Sequence, residues 1–172
     1  MELSPLTTIP FRTGRRAFAV GLLAVGLSAC SISLFGGSGM PSGDVDAEGM
    51  TSTFLPWVND LRKSRGLPPV SYSRSCEAAA IDQASRMALA GKMNHITGPE
   101  SVYNRFKRMN LTLPAAENIA MQQRTPERAF QAWVNSPKHL ENMLGPYAHV
   151  GVAMATSPKS GNTPFWSMCL SQ

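Results

Sequence analysis

The sequence predicts an α+β domain in which helices cover a small antiparallel sheet. Apolar residues recur at helical spacing in several segments between residues 53 and 143. Two runs of strand-prone residues, 149–155 and 165–170, flank the turn Ser157-Pro158-Lys159-Ser160-Gly161-Asn162, which is a hairpin signal. All the helical segments precede that hairpin, an order that suits segregated helices and strands rather than alternating βαβ units. A chain of 172 residues is the size of one ordinary domain.

The elements follow from local chemistry. Phe54, Leu55, Val58 and Leu61 share a helical face and Gly66 ends the pattern, giving a helix over 53–64. Leu67-Pro68-Pro69 forces an extended link. Residues 74–90 form a second helix whose Ala-rich face (Ala79, Ala80, Ala84, Met87, Ala88) permits close packing, with Gly91 as its C-terminal stop. Thr97 and Glu100 have capping-box spacing, which predicts a helix over 99–109 with Val102, Tyr103 and Phe106 inward. Thr125-Pro126-Glu127 starts another, running to Asn135, and Ser136-Pro137 restarts a short one through Met143. A third, shorter strand is expected near 118–121.

The N-terminus reads as an address. Arg12, Arg15 and Arg16 precede a 13-residue apolar run, Ala17 to Ala29, which is the length of a signal-peptide core and short for a membrane span. It ends in Leu27-Ser28-Ala29-Cys30, a pattern that resembles a bacterial lipobox, so Cys30 is the expected lipidation site. An ordinary secretory signal or an uncleaved anchor would use the same small residues. Residues 1–29 are thus expected to be a signal peptide, 30–51 a flexible Gly/Ser/Pro/Asp-rich tether and 52–172 the folded domain. The predicted destination is the bacterial cell envelope, with the membrane as partner through the lipid.

Net charge and cysteines narrow the remaining classes. The formal charge of +5 falls to +3 once three arginines and Glu2 leave with the first 29 residues, which removes most of the case for a nucleic-acid partner. The cluster Arg105-Phe106-Lys107-Arg108 reads as a solvated helix face, or as a face for anionic head groups. With Cys30 lipidated, Cys76 and Cys169 remain. An even pair in an exported chain favours a disulfide, which would close a loop of about 94 residues and contribute about 4 kcal/mol; two buried thiols are the alternative.

Three histidines exist: His95, His139 and His149. His95 follows Asn94, Glu117 lies in Ala115-Ala116-Glu117-Asn118-Ile119-Ala120, and His139 follows Asn135-Ser136-Pro137-Lys138. The ordered segments NHIT, AENIA, AWVNSPKHLENML, HVGVAMA and FWSMCLS resemble the CAP superfamily (the SCP domain of cysteine-rich secretory proteins, antigen 5 and pathogenesis-related 1), short bacterial branch. The resemblance spans about Phe54 to Leu170. It implies a three-layer α-β-α sandwich with a polar cleft holding two histidines and two acids, at which some members bind a divalent metal. Matched residue by residue, His95, Glu117 and His139 take three of those places, and the second acid falls at Ser136, which is no acid.

The resemblance therefore implies a cleft of His95, Glu117, Asn118, Ser136 and His139. His95, Glu117 and His139 could hold a metal, for which Zn²⁺ suits the donors, and no other cofactor is implied. Three functions stay open: a module binding a small ligand or metal, a metal-dependent hydrolase of peptide or wall material using the same three residues, and a structural or interaction protein in which the set only fastens loops. His149 is expected to cap the first hairpin strand.

Overall fold

The computed structural model describes residues 43–172; Cys30, the expected signal peptide and most of the tether lie outside them. Strand β1 (Asp46–Gly49) precedes helix α1 (Thr51–Lys63). Strand β2 (Ser71–Tyr72) then leads into α2 (Arg74–Ala90) and α3 (Val102–Arg108). Strand β3 (Ala115–Met121) is followed by α4 (Pro126–Val134) and α5 (Pro137–Met143). Strands β4 (His149–Thr156) and β5 (Phe165–Ser171) close the chain around a 3₁₀ turn at Pro158–Ser160. The sheet runs β1-β4-β5-β3, antiparallel throughout, and the two-residue β2 pairs parallel to the start of β4. Helices cover both faces, so the expected three-layer α-β-α sandwich is what forms. No helix among the described residues is long and apolar enough to cross a membrane.

Strand alternation sorts the side chains between the two helical layers. Val150, Val152, Trp166, Met168 and Leu170 pack against Phe54 and Val58 of α1, Trp133 of α4 and Met143 of α5. On the other face, Ala155, Phe165 and Ile119 meet Ala84, Met87 and Ala88 of α2, and Cys169 meets Cys76, Ala79 and Phe106. Helix α2 lies close on the sheet because both surfaces are small: a Cβ added to Gly151 of β4 would stand 2.0 Å from the Glu77 backbone nitrogen.

One helix start and one helix end match the local chemistry expected of them. The Thr125 hydroxyl accepts from the Arg128 N–H ahead of Pro126, and Gly91 ends α2 in the left-handed region at φ 62°. Other expectations need correction. The tether does not extend to Thr51: Val45 and Ala47 turn inward while Asp46 and Glu48 stay exposed, so residues 46–49 pair with β4 as an edge strand. Helix α3 begins later than the capping-box spacing predicts. Its cap is Ser101, which accepts from the Asn104 N–H, while Glu100 is drawn to Arg108 instead. Tyr103 is exposed rather than inward.

The disulfide expectation is also corrected. Cys76 and Cys169 are both free, buried thiols of one core cluster. They meet as hydrogen-bonded neighbours, and Cys76 Sγ also lies 3.2 Å from Ser171 Oγ. The Cys169 contact holds the Cys76 thiol down at about 7, against the opposing effect of burial, while the same contact raises Cys169.

Candidate functional site

Strand β3 is the edge of the sheet, and its alternation sends Glu117 and Asn118 to opposite faces. Glu117 turns towards the α2–α3 layer. One carboxylate oxygen, Oε2, pairs with the Arg105 Nη2 of α3, and the other, Oε1, lies 2.9 Å from His95 Nδ1. Because a carboxylate can only accept, His95 Nδ1 is the donor, and in the neutral form of the ring Nε2 is then the acceptor. The guanidinium reaches further: Arg105 Nη1 donates to the backbone carbonyl of His95 itself, at 3.1 Å. Side-chain exposure is 2% for Arg105, 3% for Glu117 and 47% for His95, so a buried ion pair carries a half-exposed imidazole.

The loop bearing His95 is also tied to α2, since Gln83 Nε2 donates to the Asn94 carbonyl at 2.6 Å. Behind it, a charge network fastens α2 to α3: Asp82 accepts from Arg86 at 2.8 Å and from Arg108 at 3.2 Å, and Glu100 accepts from Arg108 at 2.9 Å. The Arg108 hydrogen bond holds the Glu100 carboxyl below its usual range, and the same contact raises Arg108. The basic cluster of α3 is therefore no solvated face as a whole. Arg105 and Phe106 are buried, Arg108 is paired, and Lys107 stays outside over the Tyr103 ring.

Asn118 turns to the other layer. Its amide donates to the His139 carbonyl at 2.9 Å, and its oxygen accepts from Asn142 Nδ2 at 2.8 Å, so it fixes α5 on the sheet edge. His139 is half-buried in the first turn of α5. Burial lowers its pKa, and the nearby His95 adds to the effect. Ser136 sits at the N-cap of α5, half-buried, and its hydroxyl makes no cap; Pro137 at the first helical position is what restarts the chain there. His149 is outside this group: it opens β4 beside the Ser71 hydroxyl, with Nδ1 at 3.1 Å, as expected of a strand-capping residue.

The structure thus brings His95, Glu117, Asn118 and His139 to one edge, with Ser136 alongside on α5. The residue sequence reasoning missed is Arg105. Its spacing from Val102, Phe106 and Met109 places it on the inward helical face, a signal that the basic run obscured.

These residues do not fit a divalent metal. Both Glu117 oxygens are engaged, one of them by a fixed positive charge. A divalent ion ~5 Å from that guanidinium would be repelled by about 7 kcal/mol at an effective dielectric of ~20. Among the described residues no three His, Cys, Asp or Glu side chains converge as a metal-binding group.

Comparison with known proteins agrees with the architecture. Residues 57–170 match the family model for the cysteine-rich secretory protein family, CAP. The YkwD protein of Bacillus subtilis is 30% identical over 103 residues, covering 58% of this chain, which in turn spans only 40% of that relative. An outer surface protein of Borrelia burgdorferi superposes with a TM-score of 0.63 at 18% identity, covering 71% of this chain and 91% of that one. An extracellular SCP-domain protein of Bacillus anthracis gives 0.61 at 22% identity, covering 70% of this chain and 39% of its own. From the matched segment and the sandwich that carries it, the chain belongs to the CAP family of cysteine-rich secretory proteins.

Proposed function

We propose that this CAP protein is exported, held at the cell envelope through lipid on Cys30, and binds a small ligand in the cleft of His95, Glu117 and His139 without a metal. The lipobox-like Leu27-Ser28-Ala29-Cys30 supports the anchor, and the surface and extracellular character of the structural relatives is in keeping with export. One observation carries the ligand reading: a fully engaged, buried Glu117 orients a half-exposed His95, leaving ring Nε2 to whatever enters. Such a site suits a ligand that presents an O–H or N–H group, and burial of His139 favours the neutral form of that imidazole. The metal-dependent hydrolase expected as an alternative is less well supported, since no metal-binding group of His, Cys, Asp or Glu converges among the described residues.

Two measurements test this. The mass of the N-terminal peptide from native membranes should show a chain beginning at Cys30 and bearing acyl groups; a chain cleaved elsewhere, or retaining residues 1–29, refutes the anchor. Ring nitrogen and carbon NMR signals of His95 and His139 should shift saturably with soluble wall fragments, and His95→Ala should abolish the effect. If His95→Ala and Glu117→Gln lower stability but preserve the cellular phenotype at matched abundance, the cluster is a structural fastening instead.

A further inference from the structure

We infer that Arg105 is the positioning residue of this cleft and its built-in counter-ion, occupying by charge the place of a divalent metal. The hydrogen bonds close a ring. Arg105 Nη2 meets Glu117 Oε2, Glu117 Oε1 meets His95 Nδ1, and the His95 carbonyl returns to Arg105 Nη1 at 3.1 Å. One planar guanidinium therefore fixes His95 twice, by its backbone directly and by its ring through Glu117. A lysine could match the charge but not the fork.

The charge matters as much as the geometry. Glu117, with 3% of its side chain exposed, would be an uncompensated anion in this position, and that is the group a metal ion would otherwise neutralise. Arg105 does so permanently from within the α2–α3 layer, and it takes one of the two oxygens a metal would need. The residue also carries a cost: Arg105 Nε is buried without an acceptor among the described residues, which a side chain kept only for packing would not require. These hydrogen bonds and charges do not depend on a ligand, so failure of Arg105's role would leave ligand binding open, and absence of a ligand would leave Arg105's role intact.

The test uses the full chain, with Zn²⁺ titrated by calorimetry and the His95 ring tautomer read from nitrogen chemical shifts. The wild-type protein should show the Nδ1–H tautomer at His95 and no zinc affinity tighter than millimolar. Arg105→Gln should gain at least about tenfold in zinc affinity, and adding His95→Ala should remove the gain. Arg105→Lys should keep zinc out but release the His95 ring into mixed tautomers, an effect that a merely structural arginine would not have. Micromolar zinc binding by the wild-type protein that depends on His95, or an Nε2–H ring at His95, overturns the inference. Both results come from the wild-type chain and so remain available if Arg105→Gln does not fold. An Arg105→Gln protein that folds with unchanged tautomer and zinc affinity overturns it equally.

Discussion

Replacing Gly151 by alanine tests how the sandwich is closed. Gly151 sits on β4 opposite Cys169, beneath the first turn of α2. A Cβ there would lie 2.0 Å from Glu77 N, 2.2 Å from the Cys76 carbonyl carbon and 2.5 Å from Glu77 Cα. All three are backbone atoms, so no rotamer change relieves the clash. Ordinary contact begins at 3.4 Å, so α2 must rise by more than ~1 Å and draw Ala79, Ala80, Ala84 and Ala88 off the sheet. Overpacking commonly costs ~1–3 kcal/mol, and a backbone clash belongs at the top of that range, so about 3 kcal/mol is expected. For a domain of about 130 residues that lowers the melting temperature by about 10 °C. Urea unfolding of the two proteins measures it, with Gly66→Ala as the control. Gly66 also lacks a side chain but faces open space at φ 69°, so its substitution should cost only about 1–2 kcal/mol of backbone strain. The lifted helix carries Gln83, which holds the Asn94 carbonyl, so the His95 loop should lose order along with α2. A Gly151→Ala protein within 1 kcal/mol of wild type would refute the close-packing account.

Three other outcomes follow from the geometry. Asn118→Ala should cost about 2 kcal/mol in urea unfolding, because the half-buried Asn142 amide loses an acceptor and the His139 carbonyl a donor. The depressed His139 pKa fixes a sign: above the unfolded-state value the ring is neutral in both states. As pH falls below that value the unfolded chain takes up the proton first, so stability declines towards the folded-state pKa. His139→Gln should flatten the stability profile below about pH 6.5 relative to wild type, by paired melts across that range. Without reductant, Cys76 and Cys169 should both be alkylated in denaturant and both resist alkylation in the folded protein, read by peptide mass; a mass showing them linked would contradict the free thiols.

Much of this fold could be read from local punctuation, and the site only in part. Helix α2 ends where Gly91 demands, and α5 starts at the proline that cannot continue α4. The third helix starts later than its spacing predicts because Thr97 and Glu100 satisfy the capping box while Glu100 is claimed by Arg108, a partner eight residues on that spacing cannot reveal. Strand β1 hides in the expected tether because the Val45-Asp46-Ala47-Glu48 alternation around its start is only two periods long and lies among Gly, Ser and Pro. The histidines and Glu117 stood out by their surroundings. Arg105 does not, since three cations within four residues mask the helical spacing that sets it on one face with Val102, Phe106 and Met109.

The neighbouring pair Glu117-Asn118 decides whether the cleft is one network or two. Adjacent residues in one hydrogen-bonded cluster usually couple by ~0.5–3 kcal/mol. Here the pleat sends Glu117 to Arg105 and His95 in one layer and Asn118 to His139 and Asn142 in the other. The direct link between the halves is a long contact, Asn142 Nδ2 to the Glu117 carbonyl at 3.5 Å, which side-chain substitution leaves in place. A double-mutant cycle of Glu117→Gln and Asn118→Ala, measured in urea with sucrose added to keep the double variant folded, should therefore be additive to within ~0.5 kcal/mol. Additivity would mean that the sheet edge holds its two helical layers independently and that His95 and His139 are positioned separately. A coupling above about 1 kcal/mol would mean instead that the imidazoles are held by one cooperative network crossing the strand, and the separate assignment of Arg105 to His95 and Asn118 to His139 would fail.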